Sequence, residues 1–325
     1  MRSLISIIVL LSAVFLGATP AGFNFPAEDI KALGLKFEPV QVKIPGLKRS
    51  YRFLWLSDLH VMAQDVSEIE EKWQPAMIFR RDKRFNNPTS KLTPAEVWKK
   101  LPAVLNKSGA DAVFFGGDIC DTGSAANLSL LAEGFKKVTV PFIFLREDHD
   151  FSPWHLVKQD ISEQKKISQL IDGHPDIAVI EFRDLMIIGI DRSVFNITPQ
   201  VLERFKVLCA RGKPVILLMH VPIHAGDTPD NIRPDAWGGG KRMLKTTREF
   251  INFVLSKTSP VKAVFSGHTH LSWQTPSGVV PFRHIFKPAF EGYIGTISVV
   301  PEEKESGTAS ESPHTGNPVK ARNKF

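Results

Sequence analysis

Five short motifs place acids and imidazoles at spacings that could do chemistry: Asp58-Leu59-His60, Gly117-Asp118-Ile119-Cys120-Asp121, Glu147-Asp148-His149-Asp150, Met219-His220-Val221-Pro222 and Gly267-His268-Thr269-His270. Singly, each is weak, since an Asp-x-His is usually an ordinary loop and two histidines around a threonine are often a turn. As a set they offer the oxygen and nitrogen donors that a pair of divalent ions requires: a bridging carboxylate, ligands on either side, and open positions for water and a substrate oxygen. Such a pair offsets charge on phosphoryl oxygens and acidifies a shared water into a hydroxide nucleophile. No nucleophilic Ser or Cys is needed.

The elements that must position these residues alternate short apolar runs with longer helical patterns, which implies strands joined by crossover helices in a layered α/β architecture. Expected strands are 52–56, 112–115, 142–145, 177–182, 185–190, 215–219, 263–265, 279–285 and 296–300, with an amphipathic edge strand at 39–44. Thr93, Pro94 and Glu96 supply an N-cap, a first-turn proline and a capping-box acid for a helix from 97 to 105. A second helix is expected to begin at Thr198 and Pro199 and run to about residue 210. Each motif directly follows one of the strands. Ligands of open α/β sheets bind outside strand C-terminal ends, so these distant residues are expected to meet in one cleft.

In order and spacing the five motifs resemble the calcineurin-like metallophosphoesterases, whose pattern is Asp-x-His, Gly-Asp-x-x-Asp, Gly-Asn-His-Asp/Glu, His and Gly-His-x-His, over roughly Arg52 to Val300. The resemblance implies an α/β fold, a layered β-sandwich flanked by helices, with a dinuclear metal cleft at the strand C-terminal ends. It implies that Asp58, His60 and His270 hold one ion, that Asp118 bridges, and that Asp148, His220 and His268 hold the other. The cofactors would be two divalent ions, Mn, Zn or Fe, and the activity hydrolysis of phosphomonoesters or phosphodiesters by a metal-bridging hydroxide. His149 would stay uncoordinated and protonate the leaving oxygen, oriented by Asp121.

Two positions depart from neighbouring patterns. Glu147-Asp148-His149 stands where the family usually has Gly-Asn-His; an aspartate still ligates through oxygen, but it adds negative charge and has no N–H for a substrate phosphate. A dianionic monoester suffers more from that charge than a monoanionic diester, so a lean towards diesters is expected. Asp121 occupies the place of the tyrosine ligand of purple acid phosphatases, which excludes a ferric–tyrosinate site. His155, His174, His224, His284 and His314 lie outside the motifs and are read as structural or surface residues, with His224 the one best placed to touch substrate. The basic segment Phe79 to Phe85 reads first as a solvated loop and, in the sharper alternative, as a cap over the cleft that meets an anionic group. Trp237, with Gly238 to Gly240, and Trp273 are either pocket walls or core.

At 325 residues, 43% of them hydrophobic, the chain has the substance for one large domain rather than a disordered segment. The net charge of +7 is spread among acids, which speaks against a stable nucleic-acid complex and fits phosphorylated small-molecule, lipid or nucleotide substrates. Arg2, the apolar run 4–16 and the small residues 17–21 read as a signal peptide, too short for a membrane span and implying a secreted or periplasmic protein. The expected organisation is signal peptide 1–21, metallophosphoesterase domain 22–301 and a disordered polar tail 302–325. Cys120 and Cys209 lie in apolar segments and are read as unpaired buried thiols. The alternative function is a secreted binding module that keeps the fold with little or no catalysis.

Overall fold

Side chains alternate faces along a strand, so a strand buried on both sides reads as a continuous apolar run, and several here do. The computed structural model describes residues 20–151, 155–157, 176–190, 196–233, 236–237 and 243–302, so most of the expected signal peptide and tail, and His174, His314 and Gly238 to Gly240, lie outside the described residues. The strands are β1 Lys36–Ile44, β2 Tyr51–Leu56, β3 Ala112–Phe115, β4 Phe142–Phe144, β5 Ile177–Glu181, β6 Met186–Ile190, β7 Val215–Met219, β8 Val261–Ser266, β9 Trp273–Gln274, β10 Phe282–Ile285 and β11 Tyr293–Pro301. They form two sheets, ordered β1-β11-β2-β3-β4 and β5-β6-β7-β8-β10-β9. Strands β2, β3 and β4 run parallel, as do β6, β7, β8 and β10, with antiparallel joins at β11 to β2, β5 to β6 and β9 to β10.

The period of two sorts one sandwich into four layers. Phe53, Trp55 and Phe114 from the first sheet meet Ile187, Ile216, Leu218 and Phe265 from the second in a shared central core. The opposite faces of the same strands, Leu54, Leu56 and Phe115, pack under the helices Ala27–Leu33, Pro94–Lys107 and Ala125–Phe135. On the far side Met186, Ile188, Val215 and Leu217 pack under Pro199–Cys209 and Lys245–Leu255. This is the expected α/β fold, a layered sandwich flanked by helices. Among the described residues, no helix is long and apolar enough to cross a membrane.

Local signals act where they were expected. Thr93 Oγ1 accepts from the Glu96 N–H at 3.3 Å and Glu96 Oε2 accepts from the Thr93 N–H at 2.7 Å, closing the capping box of the Pro94–Lys107 helix. β1 is an edge strand, paired only to β11. β10 begins at Phe282 rather than at residue 279, because Pro281 has no N–H to donate to a ladder. The basic segment is not a solvated loop: a helix, Gln74–Phe79, runs into a wider turn, Arg80–Arg84, whose Arg81 is buried against Asp82 and the Gln64 carbonyl. Trp237 is 4% exposed in the core under the second sheet, which makes it packing rather than a pocket wall.

Both cysteines are free and buried. Burial pushes the Cys209 thiol up to about 12 and raises Cys120 well above the ordinary thiol range, the nearby carboxylate of Asp150 adding to the effect. Neither thiol is therefore expected to react with an aromatic disulfide reagent at pH 8 in the folded protein, and both should react in denaturant. Prompt labelling of either thiol in the native state would contradict this packing.

Candidate metal centre

The loops that leave β2, β3, β7 and β8 are stitched to one another by backbone hydrogen bonds. Asp58 N donates to Gly117 O at 2.9 Å, His60 N to Asp118 O at 3.0 Å, and Gly267 N to His220 O at 2.9 Å. Such close passage needs glycine: a Cβ on Gly267 would lie 2.2 Å from Ser57 Oγ and 2.6 Å from Asp58 Oδ2. Gly117, at φ 93°, would bring a Cβ within 2.7 Å of His220 Nδ1. Five non-glycine residues of the motifs, Asp58, His60, Asp118, His268 and His270, also take left-handed backbone, with φ between 52° and 70°. Each such residue costs on the order of 1 kcal/mol or more, and strain of this kind gathers where function requires it.

This backbone brings Asp58, His60 and His270 into one group and Asp118, His220 and His268 into another, each with its donor atoms within 4.8 Å of one another. His60, Asp121 and His149 form a third. Asp58 Oδ1 joins the first two groups, lying 3.3 Å from His270 Nε2 and 3.9 Å from His220 Nε2, while Asp118 Oδ2 is 3.2 Å from His220 Nε2. Of the site residues expected from the sequence, only the Asp148 side chain lies outside the described structure, although its backbone opens the short helix Asp148–Phe151.

The imidazoles are tied from behind. His220 Nδ1 is 2.7 Å from the Gly116 carbonyl, which only accepts, so Nδ1 carries the proton and Nε2 presents its lone pair to the site. His60 Nδ1 is 2.9 Å from Asp121 Oδ1 and is set the same way by a carboxylate. The consequence is a set of buried atoms without hydrogen-bond partners among the described residues: Asp58 Oδ1, His60 Nε2, Asp118 Oδ1 and His220 Nε2. Buried polar atoms are rarely left so, and oxygen and imidazole nitrogen in this ratio fit divalent cations.

The charges agree. Burial alone would raise the carboxyl pKa values, yet surrounding imidazoles, with His220 foremost, outweigh it and hold Asp58 and Asp118 below the ordinary range. Burial likewise opposes charge on His220, but Asp118 and Asp58 raise its pKa well above the usual value. Such a cluster attracts positive charge. Asp121 is pushed up by burial and pulled down further by hydrogen bonds from Arg80 and His60, to about 2. His149 Nδ1 lies 3.1 Å from the Asp121 carbonyl and 3.5 Å from its Oδ1.

Several supporting residues went unread in the sequence. Asp150 accepts from the N–H groups of Asp118, Cys120 and Glu147 at 3.0, 2.8 and 2.9 Å, binding the second motif to the third. Its place at the end of Glu147-Asp148-His149-Asp150 was the available signal. Arg80 forks onto Asp121, and Phe85 stacks on His60 with ring centroids 4.1 Å apart and planes 8° apart. Glu38, on β1, accepts from Ser272 Oγ and from Lys287 N, and lies 3.1 Å from His284 Nε2, which steadies the chain just after His270. Arg80 and Phe85 belong to the basic segment 79–85, but nothing local marks their partners, and nothing local marks Glu38.

A family model described as calcineurin-like phosphoesterase matches residues 51–272. Among solved structures, the chain is similar to a dimetal phosphatase from Danio rerio, with 13% identity and a TM-score of 0.46 over 74% of this chain and 88% of that one. It is also similar to a purple acid phosphatase from yellow lupin seeds, with 12% identity and a TM-score of 0.42 over 81% of this chain and 46% of that one. For a phosphopantetheinyl hydrolase from Mycobacterium tuberculosis the values are 13%, 0.40, 75% and 92%. No curated protein matches the chain at a significant level.

Asp150 sits where three buried N–H groups converge, so Asp150→Asn turns an NH2 group towards donors and strands at least one of them. We expect it to lower the unfolding free energy by about 1–3 kcal/mol, measured by urea denaturation. An unchanged midpoint would show that the acceptor role is dispensable.

Proposed function

Because the chain belongs to the calcineurin-like phosphoesterase family, a family of metal-dependent phosphoester hydrolases, we propose that this chain hydrolyses phosphate esters at the cleft where its five motifs meet. The observation that carries the reading is the set of buried Asp58, His60, Asp118 and His220 atoms that have no hydrogen-bond partner among the described residues, with His60 and His220 each fixed through Nδ1. In this reading Asp58, His60 and His270 would hold one divalent ion, His220, His268 and Asp148 the other, and Asp118 would lie between them. Bound there, two ions of Mn, Zn or Fe would supply Lewis acidity, offsetting charge on the phosphoryl oxygens and acidifying water.

The chain's own residues do the rest. Asp58 and Asp118 set a strongly negative floor that accepts cations before an anionic ester arrives. His149, about a quarter exposed and held through Nδ1 at Asp121, has its other ring nitrogen to pass a proton to the departing oxygen. Asp121, kept ionised, faces the Nδ1–H, so the proton given up from the other nitrogen is that of the imidazolium form. The negative charge of Asp148 favours diesters over monoesters, and the basic net charge of +7 draws phosphorylated small molecules. The leader at 1–21 supports action in a secreted or periplasmic setting; its tests are cleavage mapping and fractionation.

Removal of metal with a chelator is expected to abolish turnover of an aryl phosphate, and added Mn, Zn or Fe to restore it. In Asp118→Asn the same additions should restore little, since a neutral amide bridges poorly. Full turnover by the metal-free protein would sink the reading.

For His149→Ala we expect wild-type metal content and a loss of roughly a hundredfold or more for esters with poor leaving groups, but a much smaller loss for activated aryl esters. An equal loss for both would assign His149 another task.

A further inference from the structure

The segment between His60 and the Pro94–Lys107 helix makes two contacts that converge on one imidazole. In its wider turn the Phe85 N–H donates to the Arg80 carbonyl at 3.1 Å, an i to i+5 bond that brings these two residues to the same side. Arg80 then donates from Nε to Asp121 Oδ2 at 2.7 Å and from Nη2 to Asp121 Oδ1 at 2.5 Å. The Asp121 side chain is wholly buried, and the Oδ1 that takes the second bond is the atom 2.9 Å from His60 Nδ1. Phe85, 2% exposed, lies flat on the His60 ring, and the Arg80 guanidinium carbon sits 4.8 Å from the centre of the Phe85 ring. Phe85 also meets Phe290, whose ring is 5.2 Å from that of His270.

We infer that Arg80 and Phe85 are positioning residues of the metal centre, and that this segment is a fixed part of the site rather than a removable cap that reads substrate. Arg80 locks the plane of the Asp121 carboxylate through a two-point fork, which a single ammonium cannot reproduce. Asp121 in turn sets the tautomer and tilt of His60, and Phe85 limits rotation of the same ring. A guanidinium that left Asp121 to bind a substrate phosphate would abandon a fully buried carboxylate, so it stays. Outer partners of this kind orient a ligand without touching the ion.

The inference rests on the dinuclear reading, and the test separates the two. Mn2+ alone is titrated calorimetrically into metal-stripped wild type, Arg80→Met, Arg80→Lys and Phe85→Leu, with melting curves and with kcat and KM for an aryl phosphate. Arg80→Met is expected to bind Mn2+ about 10–100-fold more weakly and to lose kcat rather than KM, with Arg80→Lys in between. Arg80→Met with Asp121→Asn should be no worse than Asp121→Asn alone, because both break one chain of contacts. Should Arg80→Met not fold, Phe85→Leu carries the same expectation of weaker Mn2+ binding with the fork intact. Wild-type Mn2+ affinity in Arg80→Met, or a raised KM with kcat unchanged, overturns the inference and makes Arg80 a substrate ligand or bystander. A wild type that binds no Mn2+ overturns the metal-centre reading, and this inference with it.

Discussion

The structure turns on keeping a group of buried carboxylates and imidazoles close together, four of their atoms without a hydrogen-bond partner among the described residues. Asp58 and Asp118 lie within 4 Å of the same imidazole nitrogen, and none of the three groups can turn to water. In a protein interior such groups are costly unless paired or bound to a cation. Left-handed backbone at five motif residues adds strain of roughly 1 kcal/mol or more each. Against a usual net stability of roughly 5–15 kcal/mol, that is a substantial charge on the fold.

What offsets it is the sandwich. Three apolar layers, between the sheets and beneath each set of helices, hold the strands in fixed register, so that the loops at their C-terminal ends have little freedom. Parallel pairing of β2, β3 and β4, and of β7 and β8, puts these ends on one side of the molecule. Once there, the loops satisfy one another's backbone, which is why Gly117 and Gly267 tolerate no side chain.

Around this centre stand residues that touch no reacting group but decide where the reacting groups point. Asp150 gathers three N–H groups from two motifs, Arg80 and Phe85 hold Asp121 and His60, and Glu38 secures the chain after His270. Glu38 lies on β1, before the residues that the family model matches, so the lead-in strand is structurally joined to the site. Hydrolysis of an ester needs groups held within fractions of an ångström, and these outer contacts supply that rigidity.

The motifs were legible in the sequence because each is local: a strand, then an acid or histidine within four residues of its end. The capping box at Thr93 and the continuous apolar runs of β2 and β7 were legible for the same reason. Arg80 was not, since its partner Asp121 is 41 residues away and a run of arginines and lysines in sequence looks like any solvated face. Glu38 and Ser272, 234 residues apart, carry no shared pattern at all. Trp237 could be wall or core until packing decided for core. Side-chain type and spacing determined which chemistry was available; only the tertiary structure decided which nitrogen of each histidine faces the site, because that depends on what the other nitrogen meets across the fold.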